Sequence, residues 1–471
     1  MSNIIEADIC VIGGGSGGLS VASGAAQLGK KTVLVEGGKM GGDCLNYGCV
    51  PSKALIAAGS AAHTFRASET FGVTPAEPNV NYDQVHEHVH DVIAGIAPHD
   101  SVERFEELGV KVIQEYGQFE SSTTLKAGDK LIKAKRFVIA TGSSPSVPPI
   151  PGLADVPYIT NETIFDLKTV PEHLIIIGGG PIGLEMAQAH KRLGAKVTVI
   201  ALAFMENDDP ELVEVLLNTL REEDIDLKDK VNIQNIRQED NQIKVILEGE
   251  TIEGSHLLVA TGRKPNLDKL DLEKAGIEYS RAGITVGADL RTSNKSVYAI
   301  GDVVGGAGFT HKAGYDAGII IRRIVFGMFW AKADYKALPH ATYTSPELAS
   351  VGLSEKKAKE KYGENINIVK WPYQENDRAR ATRATKGMVK VVTDKKGKIL
   401  GASIVGKSAD ELLAVWTLAI NESLKIGAMA NVISPYPTLG EISKRAASSY
   451  YTASLFSDKT KKIVKLLSFL G

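Results

Sequence analysis

One stretch of this chain is written twice. Residues 9–36 read ICVIGGGSGGLSVASGAAQLGKKTVLVE, and residues 174–201 read LIIIGGGPIGLEMAQAHKRLGAKVTVIA. The two align without a gap at a constant offset of 165 positions, Gly13 falling on Gly178. Each copy begins with a continuous apolar run, the pattern of a strand buried on both sheet faces. Each then passes through a glycine-rich turn into a helical pattern and a second strand. Both carry GxGxxG, as Gly13, Gly15 and Gly18 and as Gly178, Gly180 and Gly183. The first glycine permits the tight turn, the second lets backbone approach a pyrophosphate, and the third lets helix and strand pack closely. The phosphates then rest on free N–H groups at a helix N-terminus. One such motif is weak evidence; two, each between an apolar strand and a helix, predict two dinucleotide-binding units.

A second feature also recurs. FVIATG (Phe137–Gly142) follows the first unit and LLVATG (Leu257–Gly262) follows the second. Each reads as a strand running into a turn beside a bound nucleotide, which marks Thr141, Gly142 and Gly262. VYAIGD (Val297–Asp302) is a further apolar strand that delivers Asp302 to a polar ligand group. Past Leu338 the texture changes. Thr342–Gly352 and Gly387–Ser403 read as strands with tight turns, and Ala409–Glu422 and Glu441–Leu455 as helices. A chain of 471 residues is too long for one core and suits about three domains. The expected fold is α/β: two Rossmann-like dinucleotide-binding domains followed by an α+β domain. The expected boundaries are 1–150 and 271–337 for the first domain in two parts, 151–270 for the second, and 338–471 for the last.

Composition excludes several classes. A net charge of −2 with 23% charged residues is no footprint for nucleic acid. No leader is expected, because a strand pattern begins at once at Asp8–Ile12. The most apolar later run, Gly318–Trp330, is interrupted by Arg322 and Arg323, so no transmembrane segment is expected and the chain reads as cytoplasmic. His86 and His90 would share one helix face with His88 turned away, and nothing completes a metal site, so none is expected. Cys10 sits mid-strand as a small buried hydrophobe. The basic, amphipathic end KTKKIVKLLSFLG reads as a terminal helix, packed on a dimer or frayed, in preference to a membrane-surface contact.

The chain has three cysteines, which is no disulfide framework. A close pair in a cytosolic chain is more often catalytic or metal-binding. Cys44 and Cys49 lie in GGDCLNYGCVPSKA (Gly41–Ala54), directly after the first unit. Pro51 suits the first turn of a helix, which puts Cys49 near a helix N-terminus, where a thiolate is stabilised. Zinc would need further ligands at matching spacing, and none is nearby.

CLNYGCVPSK, together with both GxGxxG units, both ATG turns and VYAIGD, resembles the pyridine nucleotide–disulfide oxidoreductases. That family includes dihydrolipoyl dehydrogenase, glutathione reductase and mercuric reductase, and the resemblance covers nearly the whole chain. It implies an FAD-dependent enzyme in which the first unit binds FAD, with Glu36 on the adenosine ribose and further cofactor contacts at Gly117, Thr141, Gly142, Asp302 and Thr310. It implies that Cys49 lies against the flavin as the charge-transfer thiol and that Cys44 exchanges with substrate. Lys53 would sit near the flavin edge, paired with Glu185. The second unit would bind NAD(P)H on the opposite flavin face, with Gly262 in its turn. The last domain would form a two-fold homodimer that completes each site from the partner chain.

Two departures stand out. Disulfide-reducing members carry a histidine in HPTxxE that acts as acid and base toward the outer thiol, oriented by the glutamate. Here the stretch is Tyr436-Pro437-Thr438-Leu439-Gly440-Glu441, with tyrosine for histidine, and His340 is the last histidine. A tyrosine titrates near about 10, so at neutral pH it donates a hydrogen bond but is a poor base. Tyrosine leans toward the mercuric reductases, yet those use a C-terminal cysteine pair and many carry an N-terminal metal-binding domain. Lys461–Gly471 holds no cysteine, so efficient mercury reduction is not expected either. The resulting expectation is a mercuric-reductase-like enzyme acting on a disulfide, thiol, metal-ion or quinone acceptor. Dihydrolipoyl dehydrogenase, a diaphorase and an FAD-bound redox sensor stand as alternatives. The second departure is that the repeat maps Glu36 onto Ala201. An acid there would favour NAD and a nearby arginine NADP, but IALAFMEN (Ile200–Asn207) offers neither well placed, and Lys191 and Arg192 lie on the preceding helix. The choice between NAD and NADP stays open.

Overall fold

The computed structural model describes residues 3–468. The first sheet is built around the strand Asn3–Ile12, flanked in parallel by Thr32–Val35 on one side and Lys130–Ile139 on the other. Val110–Ile113 extends it beyond Thr32–Val35, and two antiparallel strands, Thr124–Ala127 and Gly117–Ser121, extend the other edge. Val297–Ala299 returns from far along the chain to pair in parallel with Lys130–Ile139. That return carries Asp302 to the ends of the same strands that hold the first glycine loop. The central strands are apolar toward their C-terminal ends, where both faces are covered: Val11, Phe137 and Val138 are fully buried. Cys10 is among them, and its burial pushes its thiol well above the ordinary range.

The second unit repeats the plan. His173–Gly179 lies between Lys196–Phe204 and His256–Val259, all parallel, with Asp226–Asp229 at the edge. A three-stranded antiparallel meander, Asn235–Glu239, Gln242–Ile246 and Thr251–Gly254, covers one side. The two ATG turns knit the units together. The strands that follow them, Ser143–Pro145 and Arg263–Pro265, pair antiparallel, and Asn266 exchanges hydrogen bonds with Thr141 and Gly142.

The last domain is a five-stranded antiparallel sheet in the order Pro339–Thr342, Glu347–Gly352, Ile399–Gly406, Met388–Asp394 and Ile366–Pro372. Helices Ala409–Asn421 and Glu441–Ser449 pack on it. Trp416 is completely buried between them, its indole N–H donating to Ser443 Oγ at 3.0 Å. Two sequence expectations need correction. Thr342–Gly352 is two strands, because the backbone N–H groups of Tyr343 and Ser345 donate to the side chains of Glu185 (3.0 Å) and Gln188 (2.7 Å) and not to a neighbouring strand. Glu441–Leu455 is likewise broken, into Glu441–Ser449 and Thr452–Leu455, where the Tyr450 and Tyr451 rings turn edge to face against the domain core.

The basic end forms a helix over Asp458–Leu467 with no buried residue, and Phe469, Leu470 and Gly471 lie outside the described residues. His86 and His90 stack ring on ring within Tyr82–Ile96, and His90 Nδ1 bonds its own helix at His86 O. Among the described residues no helix is long and apolar enough to cross a membrane.

Trp416 gives the clearest stability test of the last domain. Trp416→Ala should lower its unfolding free energy by about 3–5 kcal/mol, against about 1–3 kcal/mol for Ser443→Ala, which only orphans the indole N–H. Denaturant unfolding followed by circular dichroism reads both, and equal costs would mean that packing is not what the indole contributes.

Candidate active site

The two glycine loops have the same backbone. Gly15 and Gly180 each precede a helix, Ser16–Gln27 and Pro181–Arg192, with φ/ψ of −85°/−178° and −84°/−177°. A Cβ on Gly18 would stand 1.9 Å from the Gly13 carbonyl oxygen, and one on Gly183 2.0 Å from that of Gly178. Gly13 and Gly178 hold φ of +111° and +128°, values that exclude most L-residues. At Gly180, by contrast, a Cβ would meet nothing within 4 Å, and at Gly15 only Gly42 Cα, at 3.9 Å. Each loop is therefore closed on its protein side and bare on the side a pyrophosphate would take.

A cleft of about 880 Å³ opens over the first loop. Gly13, Gly15, Glu36, Gly117, Thr141, Gly142, Asp302 and Thr310 all line it, as do Cys44, Cys49, Lys53 and Glu185. Except for Gly18, which packs on Gly13 and does not line the cleft, the residues predicted for the first unit and the cysteine segment thus converge on one space. Gly178, Gly180, Gly183 and Gly262 belong to the second unit and do not line this cleft.

The cysteine segment is threaded against the first loop. Gly41 N donates to Gly14 O at 2.9 Å, and a Cβ on Gly42 would meet Gly15 Cα at 2.7 Å. Cys44 follows in the short helix Gly42–Asn46, and Cys49 is the first residue of the helix Cys49–Arg66. The two thiols are close neighbours that share their electrostatics, and Thr310 Oγ1 lies 3.5 Å from Cys49 Sγ. The pair is electrostatically unequal. The hydrogen bond from Cys44, helped by Thr310 and the charge of Lys53, outweighs burial and brings Cys49 down to about 6. The same hydrogen bond, together with burial and the neighbouring charge, pushes Cys44 far up. Near neutral pH the reduced pair is one thiolate at Cys49 and one thiol at Cys44.

Lys53 sits one helical turn beyond Cys49. Its Nζ lies 2.9 Å from Glu185 Oε2 and 4.1 Å from the centre of the Tyr343 ring. Glu185, only 6% exposed in its side chain, uses its other oxygen to accept from Tyr343 N. Arg263 ties the opposite wall together. It donates to Ser143 Oγ (2.8 Å) and pairs with Asp43 (3.0 Å), while Ser143 Oγ donates to Asp302 at 2.6 Å. Asn161 Nδ2 holds Asp43 and Tyr47 O, each at 3.1 Å, and so fixes the loop that carries Cys44.

This geometry accords with what the chain is similar to. The family described as "Pyridine nucleotide-disulphide oxidoreductase" matches residues 7–317, and that family's dimerisation domain matches residues 338–447. The chain belongs to the pyridine nucleotide–disulphide oxidoreductases. Members of this family are enzymes that bind FAD and use NAD(P)H. A mercuric reductase of Bacillus cereus is 35% identical over 451 residues, spanning 94% of this chain and 71% of that protein. A dihydrolipoyl dehydrogenase of Staphylococcus aureus is 34% identical over 460 residues, spanning 94% and 96%. Among solved structures, the Cu(II) complex of the HOCl-induced flavoprotein disulfide reductase RclA from Escherichia coli superposes with a TM-score of 0.85 at 27% identity, over 93% of this chain and 99% of that one. LpdA from Mycobacterium tuberculosis does so with a TM-score of 0.86 at 25% identity, over 95% and 99%.

Two expected residues of this oxidoreductase stand apart. Tyr436 and Glu441 do not line the cleft of their own chain. Tyr436 is 72% exposed, and its hydroxyl donates to Asp377 Oδ2 at 3.1 Å, a carboxylate that sequence reasoning had not marked. That bond raises the phenol above its ordinary range. Arg263, Asn161, Tyr343, Gly41 and Gly42 were also missed. Only the two glycines carried a sequence signal, since they stand directly before the first cysteine.

Because the Cys49 pKa is lowered, its thiolate exists above about pH 6 and is lost as pH falls through that value. Alkylation of the reduced enzyme at Cys49 should therefore titrate near pH 6, read by thiolate absorbance or iodoacetamide rate. Cys44→Ala removes the largest lowering cause, so the midpoint should move up by about one unit or more; an unmoved midpoint would show that Cys44 does not hold the thiolate.

Proposed function

We propose that this enzyme passes an electron pair from NAD(P)H through the Cys44–Cys49 pair to a sulfur or soft metal-ion acceptor bound at Cys44. The observation that carries the reading is the unequal dithiol, set at a helix N-terminus and against the first glycine loop. FAD fits that cleft, with the N-terminus of the helix Ser16–Gln27 for its pyrophosphate and the Glu36 carboxylate at the end of the loop. When bound, it supplies hydride acceptance from the nicotinamide and delivery of an electron pair to sulfur. The remaining work falls to the chain. Gly178, Gly180 and Gly183 seat the NAD(P)H pyrophosphate in the second unit. Lys53, kept charged by Glu185, holds positive potential beside Cys49. Two electrons and one proton convert the disulfide into Cys49 thiolate and Cys44 thiol. The acceptor then takes the pair at Cys44, the disulfide re-forms, and the remaining thiol proton leaves.

Tyr436 bears on the class of acceptor. Reducing a disulfide or lipoyl substrate calls for a base beside the outer thiol. A phenol held protonated by Asp377 is not one. A soft metal ion needs no such base, because thiolate binds it directly. The likeness to a mercuric reductase and to a reductase in Cu(II) complex supports the same side. The second reading, a dihydrolipoyl dehydrogenase, is favoured by the 34% identity to one and by Glu441. We read the chain as a homodimer joined through the domain 338–471, with 1–150 and 271–337 as the FAD part and 151–270 as the NAD(P)H part. The apolar side chains exposed on Ala409–Asn421, Val415 and Leu418, and Ile433 beyond it, support that arrangement. Tyr436 would then face the partner's Cys44.

Anaerobic stopped-flow tests the reading. Enzyme reduced by NAD(P)H should be reoxidised fastest by Cu(II), more slowly by lipoamide or glutathione disulfide, and the metal reaction should fall at least about a hundredfold in Cys44→Ser. Reoxidation only by a quinone or oxygen, unchanged in Cys44→Ser, would show that the dithiol is not the exit path.

A further inference from the structure

The duplicated unit provides its own control for nucleotide recognition. Up to the end of the second strand the copies coincide: Ile12 pairs with Val35 in one and Ile177 with Ile200 in the other, which places Ala201 where Glu36 stands. Beyond that point they part. In the first unit the strand ends at Val35. Glu36 turns its carboxylate back onto the loop, accepting from Gly14 N and, at 2.6 Å, from Gly38 N, and so offers a charged acceptor at the ribose end. In the second unit the strand does not end. It runs on to Phe204, shifts register after Ile177 so that Gly179 pairs with Phe204, and Met205 N donates to Gly179 O at 3.1 Å.

Ala201 is therefore buried, and Leu202, 69% exposed, is the side chain presented next along the strand. The cations that sequence reasoning offered do not replace the lost acid. Arg192 is buried and committed to Glu223 through two bonds of 2.8 and 2.7 Å. Lys191 lies on the last turn of the helix, away from the loop at its start. Asp229, paired with Ala201 across the sheet, and Lys230 beside it bring one charge of each sign. A ribose 2′-hydroxyl is recognised by a carboxylate at this place and a 2′-phosphate by a guanidinium. This strand presents an alanine and a leucine.

Building on the assignment of the second unit to NAD(P)H, we infer that it holds the dinucleotide through the pyrophosphate and apolar contact alone, and that this enzyme accepts NADH and NADPH without discrimination. Residues 201 and 202 are the specificity-determining positions. A charge-assisted hydrogen bond to the ribose separates the two nucleotides by roughly ten- to a hundredfold; here the two dissociation constants should agree within about fivefold. The same geometry makes the preference easy to create, since Leu202 is exposed and can be exchanged without disturbing the core. Leu202→Arg should tighten NADPH relative to NADH, by about tenfold at low salt.

The test is an equilibrium titration, following nicotinamide fluorescence, of FAD-loaded enzyme already reduced with dithionite, so that NADH and NADPH bind without reacting. Constants within about fivefold, together with a ratio shifted about tenfold toward NADPH in Leu202→Arg, support the inference. A wild-type ratio beyond about twentyfold in either direction overturns it, as does a Leu202→Arg enzyme whose ratio has not moved. If FAD is retained but neither nucleotide binds, what fails is the assignment of the second unit to NAD(P)H.

Discussion

The position of the active site depends on one buried charge. Lys53 belongs to the cysteine helix, Glu185 to the helix of the second unit and Tyr343 to the last domain, and the three meet at a single carboxylate. A withdrawn carboxylate is tolerated only when its oxygens are satisfied. Glu185 has one oxygen on an ammonium and the other on a backbone N–H, so all three segments must be in place for that carboxylate to be fully partnered. Gly59 makes the approach possible. A Cβ there would stand 3.1 Å from Ala189 O, so the two helices touch backbone to backbone a short way past the ion pair. The pair therefore does more than join domains. It sets the rotation of the cysteine helix, and with it the direction in which Cys49 faces.

That rotation determines the chemistry of the sulfur atoms. A helix N-terminus alone lowers a thiol pKa modestly. Here the main cause is the second thiol, whose proton is spent on the first, so that stabilising Cys49 as thiolate necessarily leaves Cys44 protonated. Division of labour between the two follows from their hydrogen bond and needs no separate device for each. It also explains what a base beside Cys44 would have to overcome, and why a phenol bound to Asp377 is ill suited to the task.

Legibility in the sequence followed the range of the interactions. The glycine loops could be read because part of their constraint is local: a Cβ on Gly18 would strike the carbonyl of Gly13, five positions earlier. The cysteine segment could be read because its helix start and spacing are local too. Lys53 and Glu185 were reached only through resemblance, since nothing local distinguishes them from surface charges. Arg263 and Asn161 gave no signal, because each acquires its place only when the segment carrying Asp43 folds over the first loop. The misread strand at Thr342–Gly352 failed for the same reason, as its backbone donors are answered by side chains more than 150 positions away.

The repeat shows where such constraints stop. Every position at which the loop touches itself is kept in both copies, down to dihedral angles that agree within a degree at Gly15 and Gly180. The copies part beyond the second strand, where Glu36 folds back onto Gly14 in one and Ala201 lies within a strand that runs on in the other. An offset alignment detects the exchange of residues, but not that the strand continues. Continuation depends on Gly179 lacking a side chain, since a Cβ there would lie 2.6 Å from Ala203 O and 2.7 Å from the Phe204 ring. At Gly14 the corresponding space is filled by the Glu36 side chain, 3.1 Å away. One glycine loop is thus compatible with two different neighbours, a folded-back carboxylate or a continuing strand. The motif common to both fixes the turn, and what stands over its middle glycine, a carboxylate at Gly14 or a strand at Gly179, is set outside the motif.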